Sequence, residues 1–251
     1  MSIVSHNIIS NEISTKEVYF IVPAAGIGSR MAVEQPKQYL EIAGETILTH
    51  TLKLLIAAPE IVGGVVVLSK EDDTPLKVHD ENLWITIGGA TRTDSVYAGL
   101  QFLAAKLIAA GKNLDDIWVA VHDAARPGLT SNELSYFLQS VLKDAPEGGA
   151  IMALPAQDTI KLVEGTMISK TLNRDQIWLA QTPQMAPLTR LLDATKKIMD
   201  DHANVTDEAS VLEYNGYFPK VYRGYHHNFK ITYPEDLKLM SLYFSEREKC
   251  E

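Results

Sequence analysis

A chain of 251 residues, 46% hydrophobic and 22% charged, carries enough apolar material for one α/β domain. Its formal charge of −9 argues against a nucleic-acid or anionic-membrane surface, which needs a basic face, but leaves room for a small phosphate-bearing substrate that needs only a few local cations. The single cysteine, Cys250, excludes an intrachain disulfide and a cysteine metal cluster, and its place beside the C-terminus makes it a poor nucleophile.

Residues 1–16 lack a basic leader and a long apolar core, so they read as a flexible extension and not as a signal peptide. No apolar run approaches the roughly 20 residues of a membrane span, and the expected location is the cytoplasm. Residues 17–251 read as one domain. A first strand at Val18–Val22 runs into the stretch VPAAGIGSRMAVEQPKQYL, Val22 to Leu40. A helix is predicted from Ile47 to Ala58, with Leu48, Leu52, Leu55 and Ile56 on one face. Strands follow at Gly64–Leu68 and Leu83–Ile87. Gly88-Gly89 then breaks the chain before a helix from Asp94 to Ala110, which Gly111 ends. A strand at Ile117–Val121 leads into the polar turn His122–Pro127, then a helix at Asn132–Leu142 and a strand at Ala150–Leu154. This alternation predicts an α/β fold with a mostly parallel sheet covered on both faces.

The rhythm changes once. Thr159–Val163 and Met167–Thr171 flank Glu164-Gly165-Thr166 as a hairpin, an arm of about 157–175. An isolated hairpin is marginal in water, so the arm either packs on its own domain or is covered by a partner subunit. The last third returns to helices near Pro187–Asp201, Asp207–Tyr214 and Pro234–Phe244, with β-type sequence at Lys220–Tyr222 and Phe229–Ile231.

The chemistry gathers where strands end, which is where open α/β sheets bind ligands. After the first strand come Ala24, Ala25, Gly26 and Gly28, then two cations, Arg30 and Lys37. Glycines let a backbone aim its N–H groups at an anion, and cations add full charge. A solvated strand-to-helix turn is the plainer reading. The dinucleotide fingerprint is excluded, because Gly26-Ile27-Gly28-Ser29-Arg30 is followed by Met31, and no Walker spacing occurs. After the third strand, Gly88-Gly89 is either a tight turn or a bare backbone that can read a base edge, and Ser95 either caps the next helix or adds a hydroxyl to that readout. Asp123 and Arg126 follow the fourth strand, and Asp158 and Thr159 the fifth. Asp123 suits a hard cation such as Mg²⁺ or caps a turn. His122 reads as a packed, hydrogen-bonded histidine. His226-His227 reads as a strand pair facing opposite ways, unsuited to a metal. Thr206 reads as a helix cap with two acids, Asp207 and Glu208, in the first turn, and Arg174 and Lys230 read as lone cations on pattern alone.

The blocks PAAGIGSRM…PKQYL, GGATRTDSV, VHDAARP, ALPAQDTIK, NRDQIWLAQTPQ, TDEASVLE and NFKIT-PEDL, in that order from about Val18 to Phe244, resemble the nucleotidyltransferases that make CDP-alcohols. They are most similar to the 2-C-methyl-D-erythritol 4-phosphate cytidylyltransferase family. The resemblance implies a single-domain Rossmann-like nucleotidyltransferase with a protruding hairpin arm that interlocks a homodimer. It also implies Mg²⁺, and transfer of CMP from CTP to a polyol phosphate with release of pyrophosphate. On it, Arg30 and Lys37 are the transition-state cations. Arg174 and Lys230 position the acceptor phosphate. Asp123, Arg126, Thr159 and Thr206 surround the substrate or metal. Ala24, Ala25, Gly26, Gly28, Gly89, Ala90 and Ser95 form the CTP pocket, with Ala90 standing where some members carry Asp. Thr159 and Arg174 would then act on the partner's site. Three rivals stand beside it: a ribitol-5-phosphate cytidylyltransferase, a non-catalytic CTP-binding regulator, and a nicotinamide oxidoreductase that the missing third glycine makes remote.

Overall fold

The computed structural model describes residues 16–26 and 35–249. Gly28, Arg30, Cys250 and the N-terminal extension up to residue 15 lie outside them. The first strand, β1 (Glu17–Pro23), is apolar on both faces, as a central parallel strand must be. Val18, Phe20 and Val22 face one core, and Tyr19 and Ile21 the other. A two-strand ribbon, β2 (Glu41–Ile42) and β3 (Glu45–Thr46), leads into α1 (Ile47–Ile56), then β4 (Ile61–Leu68), β5 (Leu83–Ile87), α2 (Arg92–Ala109) and β6 (Ile117–Val121). The chain continues through α3 (Ser131–Asp144), β7 (Ala150–Pro155), the hairpin β8 (Lys161–Glu164) and β9 (Met167–Thr171), and β10 (Trp178–Pro187). It ends with α4 (Leu188–Asp201), α5 (Glu208–Tyr214), β11 (Lys220–Arg223) and α6 (Pro234–Glu248).

Among the described residues the central sheet has the order β11-β7-β10-β6-β1-β4-β5. All neighbours are parallel except β10, which runs antiparallel to both β6 and β7. Helices α1 and α3 cover one face through Leu48, Leu52, Leu55, Phe137 and Leu138. Helices α2, α4 and α5 cover the other through Leu100, Leu103, Leu191, Ile198 and Val211. Helix α6 closes a third cluster, in which Met240 and Phe244 meet Ile42, Ile47 and Ile231. The chain builds β4 and β5 on one side of β1 and then crosses to β6 on the other. The topological switch point therefore lies between the carboxyl ends of β1 and β6.

Strand β10 is the main departure from the sequence expectation, which runs from the hairpin straight to a helix at Pro187. Its sequence, WLAQTPQMAP, breaks apolar alternation with Pro183 and two glutamines, the marks of a loop. It enters the sheet all the same, with a register shift between Ala180 and Gln184. That bulge turns Gln181, Thr182 and Gln184 inward, where all three are buried. Phe229–Ile231, predicted as β-type, joins no strand: the Ile231 N–H donates to the Ala125 carbonyl oxygen at 2.9 Å without extending into a ladder. The hairpin forms as expected, turning at Gly165 with φ +62°, and every residue of β8 and β9 is exposed. Its two strands pair only with each other.

Candidate active site

At the switch point a cleft of about 350 Å³ opens between the end of β1, the loop after β5, the end of β6 and the segment around Lys230. One wall is bare backbone. Ala24, Ala25 and Gly26 follow β1, and Gly89 and Ala90 follow β5. Gln38, buried, donates through Nε2 to the Ala24 carbonyl oxygen at 2.7 Å and fixes the first of these turns. The glycine pair is there because the chain passes too close for side chains: a Cβ on Gly88 would stand 2.6 Å from Ser95 Oγ and 2.9 Å from Ala25 Cβ. Ser95 is not the helix cap. Thr91 caps α2 in a reciprocal box with Asp94, at 3.1 and 2.8 Å, and the helix starts two residues before its predicted position. Ser95 Oγ lines the cleft but donates to the Thr91 carbonyl oxygen at 2.9 Å, which leaves its lone pairs for a ligand.

The opposite wall is charged. Asp123, 6% exposed, is ringed by cations: Lys230 Nζ at 2.9 Å from Oδ2, Arg92 Nε at 3.2 Å from Oδ1 and Arg126 Nε at 3.4 Å from Oδ2. Burial by itself would raise this carboxyl, but Arg92, Lys230 and Arg126 outweigh it and hold it far below the usual carboxylate range. Arg92 also binds Glu208 in two parallel bonds of 2.7 and 3.0 Å. Burial pulls its guanidinium down, and the two carboxylates more than restore it. Arg126 donates to the Asn228 carbonyl oxygen at 2.8 Å and so braces the Lys230 segment. Lys37 lines the cleft, and its Nζ donates to the Ile231 carbonyl oxygen at 3.2 Å.

His122 is fully buried and is held as a neutral ring, as expected. Its Nε2–H donates to the Arg126 carbonyl oxygen at 2.9 Å, and its Nδ1 accepts from the Thr182 hydroxyl at 3.0 Å. That hydroxyl in turn accepts the Asp123 N–H at 3.0 Å. Burial pushes the His122 pKa down to about 4. With both nitrogens committed it has no lone pair for a substrate proton.

Other expected residues lie elsewhere. Arg174 and Thr159 sit exposed on the arm and its neck, and Arg174 Nη1 donates to the Gln157 carbonyl oxygen at 2.6 Å. Neither lines the cleft. Thr206 is not the cap of α5, because Asp207 Oδ1 takes the Ser210 N–H at 3.0 Å. Thr206 instead borders a second hollow on the far side of Arg92. His226 and His227 occupy a turn and not a strand, and they part company as expected: His226 meets Gln157, and His227 meets Glu133 at 3.0 Å. Sequence reasoning misses the role of Glu208, which reads as a first-turn acid, and of Arg92, which no pattern singles out. A bidentate partner 116 residues away leaves no local signal.

Among the described residues no group of three or more His, Cys, Asp or Glu side chains could hold a metal by itself. Asp123 is the sole carboxylate among the described residues lining the cleft. A single carboxylate fits a hard ion that brings most of its oxygens with a polyphosphate, whose negative charge also offsets the cations around Asp123. Among the described residues no helix is long and apolar enough to cross a membrane.

The sequence profile of the IspD family, 2-C-methyl-D-erythritol 4-phosphate cytidylyltransferase, matches residues 18–246. The chain is 44% identical over 243 residues to the 2-C-methyl-D-erythritol 4-phosphate cytidylyltransferase of Photorhabdus laumondii, covering 93% of this chain and 97% of that one. It is 40% identical to that of Photobacterium profundum, over 94% and 99% of the two chains. Its fold matches the crystal structure of the Francisella tularensis 2-C-methyl-D-erythritol 4-phosphate cytidylyltransferase with a TM-score of 0.77 at 36% identity, over 90% and 99%.

Proposed function

Because the chain belongs to the 2-C-methyl-D-erythritol 4-phosphate cytidylyltransferase family, we propose that its cleft divides the work of the transfer between a backbone wall and a cationic wall. The protein is a nucleotidyltransferase of isoprenoid biosynthesis that moves the cytidylyl group of CTP to 2-C-methyl-D-erythritol 4-phosphate and releases pyrophosphate. The observation that carries the division is the ring of Arg92, Arg126 and Lys230 around Asp123, of which Arg92, Lys230 and Asp123 line the cleft opposite the bare turns after β1 and β5 while Arg126 stands behind.

On this reading Ala24, Ala25, Gly26, Gly89 and Ala90 hold the nucleotide through main-chain groups, and Ser95 accepts from the base. The attacking group is a phosphate oxygen, already largely ionised at neutral pH with a second pKa near ~6, so no general base is required. The committed nitrogens of His122 agree with that. The task left to the protein is to bring two anions together and to offset the charge that develops on the transferred phosphoryl group. Lys37 supplies charge beside the nucleotide, and Lys230 holds the acceptor phosphate. Arg30, matched by the resemblance to a second transition-state cation, lies outside the described residues. Asp123 is the residue that would hold Mg²⁺, which when bound would supply Lewis-acid charge at the triphosphate. Arg92 and Arg126 keep Asp123 ionised and oriented for that role.

The exposed arm completes the proposal. Its apolar residues Leu162, Val163, Met167 and Ile168 are 49–74% exposed, which suits burial in a homodimer. Arg174 and Thr159 on one subunit would then serve the cleft of the other. The reading is tested by pyrophosphate release with CTP and Mg²⁺, offering methylerythritol phosphate and ribitol 5-phosphate separately. Release with methylerythritol phosphate alone is expected. Faster release with ribitol phosphate would reassign the acceptor, and no release with either would leave a nucleotide-binding protein.

A further inference from the structure

The bulge in β10 turns three buried polar side chains toward three different segments that carry the residues around Asp123. Thr182 serves Asp123 and His122. Gln184 takes the Ala209 N–H at 2.8 Å and donates to Asp207 at 2.9 Å, holding the start of α5, which carries Glu208. Gln181, 5% exposed, points to the third. Its Nε2 donates to the Tyr225 carbonyl oxygen at 2.9 Å and its Oε1 accepts the Tyr225 N–H at 3.3 Å. One side-chain amide thus engages both peptide groups of a residue just past the end of β11, as a neighbouring strand would. The approach is close enough that a Cβ on Gly224 would overlap Gln181 Oε1.

The gripped segment, 224–231, is not in a strand, yet it delivers Lys230 Nζ to 2.9 Å from Asp123. Its far end is tied by the Ile231–Ala125 bond, and its middle by Asn228, which accepts from Arg126 and donates to the Thr182 carbonyl oxygen, each at 2.8 Å. Its near end is tied by the Gly224 N–H on the Ala153 carbonyl oxygen at 2.8 Å and by the two bonds of Gln181 to Tyr225. A cation on an irregular segment stays in place only as well as its anchors do, and misplacement by an ångström is costly in catalysis. We propose that Gln181 is a positioning residue for the acceptor phosphate, acting through the 224–231 segment to hold Lys230 in register with Asp123. This rests on the phosphate role given to Lys230 above.

The test is steady-state kinetics on the full chain with Gln181→Met, Gly224→Ala, Lys230→Ala and the Gln181→Met/Lys230→Ala double variant. Gln181→Met removes the amide, and Gly224→Ala displaces it without touching the bulge. Each is expected to raise the KM for methylerythritol phosphate about tenfold, the scale of one lost hydrogen bond, with the KM for CTP held within about twofold. A merely structural role would lower the folded fraction, and hence the apparent kcat, but leave both KM values in place. In the double variant Gln181→Met is expected to add nothing to the acceptor KM of Lys230→Ala, and full additivity would overturn the route through Lys230. An unchanged acceptor KM in both Gln181→Met and Gly224→Ala, beside a raised one in Lys230→Ala, overturns this inference alone. An unchanged acceptor KM in Lys230→Ala overturns the phosphate role of Lys230 and this inference with it.

Discussion

Arg92 and Glu208, 116 residues apart in the chain, are joined by two parallel hydrogen bonds, Nη1 to Oε1 at 2.7 Å and Nη2 to Oε2 at 3.0 Å. The Glu208 side chain is 4% exposed and the Arg92 side chain 28%. Removing Arg92 strands the buried Glu208 carboxylate, so Arg92→Ala should cost ~3 kcal/mol of stability, whereas Glu208→Ala leaves Arg92 paired with Asp123 at 3.2 Å and should cost less. Denaturant titration of Glu208→Ala, Arg92→Ala and the double variant checks it. The double variant should be less destabilised than the sum of the singles, and strict additivity would count against a coupled pair. Arg92→Lys should not rescue, because an ammonium cannot hold Glu208 bidentately while also reaching Asp123.

Lys37 donates to the Ile231 carbonyl oxygen and lines the cleft. If its charge acts on the transferred phosphoryl group, Lys37→Ala should lose ~3–4 kcal/mol of transition-state stabilisation, two to three orders of magnitude in kcat. The variant should keep its far-ultraviolet circular dichroism and its melting transition. Near-normal turnover would remove Lys37 from the mechanism.

His122 sets a pH dependence of folding. Its folded pKa is about 4 and its unfolded value ~6.5, so the unfolded chain binds a proton over a range in which the folded chain does not. The neutral ring costs nothing above the unfolded value. As pH falls through the window from about 6.5 to about 4, stability is lost, up to ~3 kcal/mol, and below the folded value the loss levels off. Asp123 stays ionised across that window, so it does not mask the effect. Unfolding free energies at pH 7.5 and pH 5, for the parent and for His122→Gln, measure the difference. The parent should lose more stability than the variant, and parallel losses would sink the assignment.

Arg174 and Lys37 are expected to act in the same reaction from different subunits. Coexpressing Arg174→Ala with Lys37→Ala should therefore restore activity that neither variant shows alone. Random pairing gives one intact site in half of the dimers, or about a quarter of the parent activity. No recovery would place Arg174 on its own subunit's cleft or outside the reaction.

The alternation of strands and helices was legible in the chain because it is local. The runs Val18–Val22 and Ile117–Val121, the amphipathic spacing of Leu48, Leu52 and Leu55, and the glycine at 111 each carry their signal within a few residues. The clustering of polar loops at strand ends followed from that alternation, and so did Asp123 as the carboxylate of the site. Tertiary structure decided the rest. It drew WLAQTPQMAP into the middle of the sheet, where buried partners replace water for its glutamines, against a composition that reads as loop. It turned Lys230 from a lone cation into a ligand of Asp123, and Glu208 from a helix-start acid into the clamp on Arg92. Such pairings carry no periodicity and no spacing, because they form only when strands distant in sequence close side by side. Their energy comes from shared burial, a property of the assembled cleft and of no single segment.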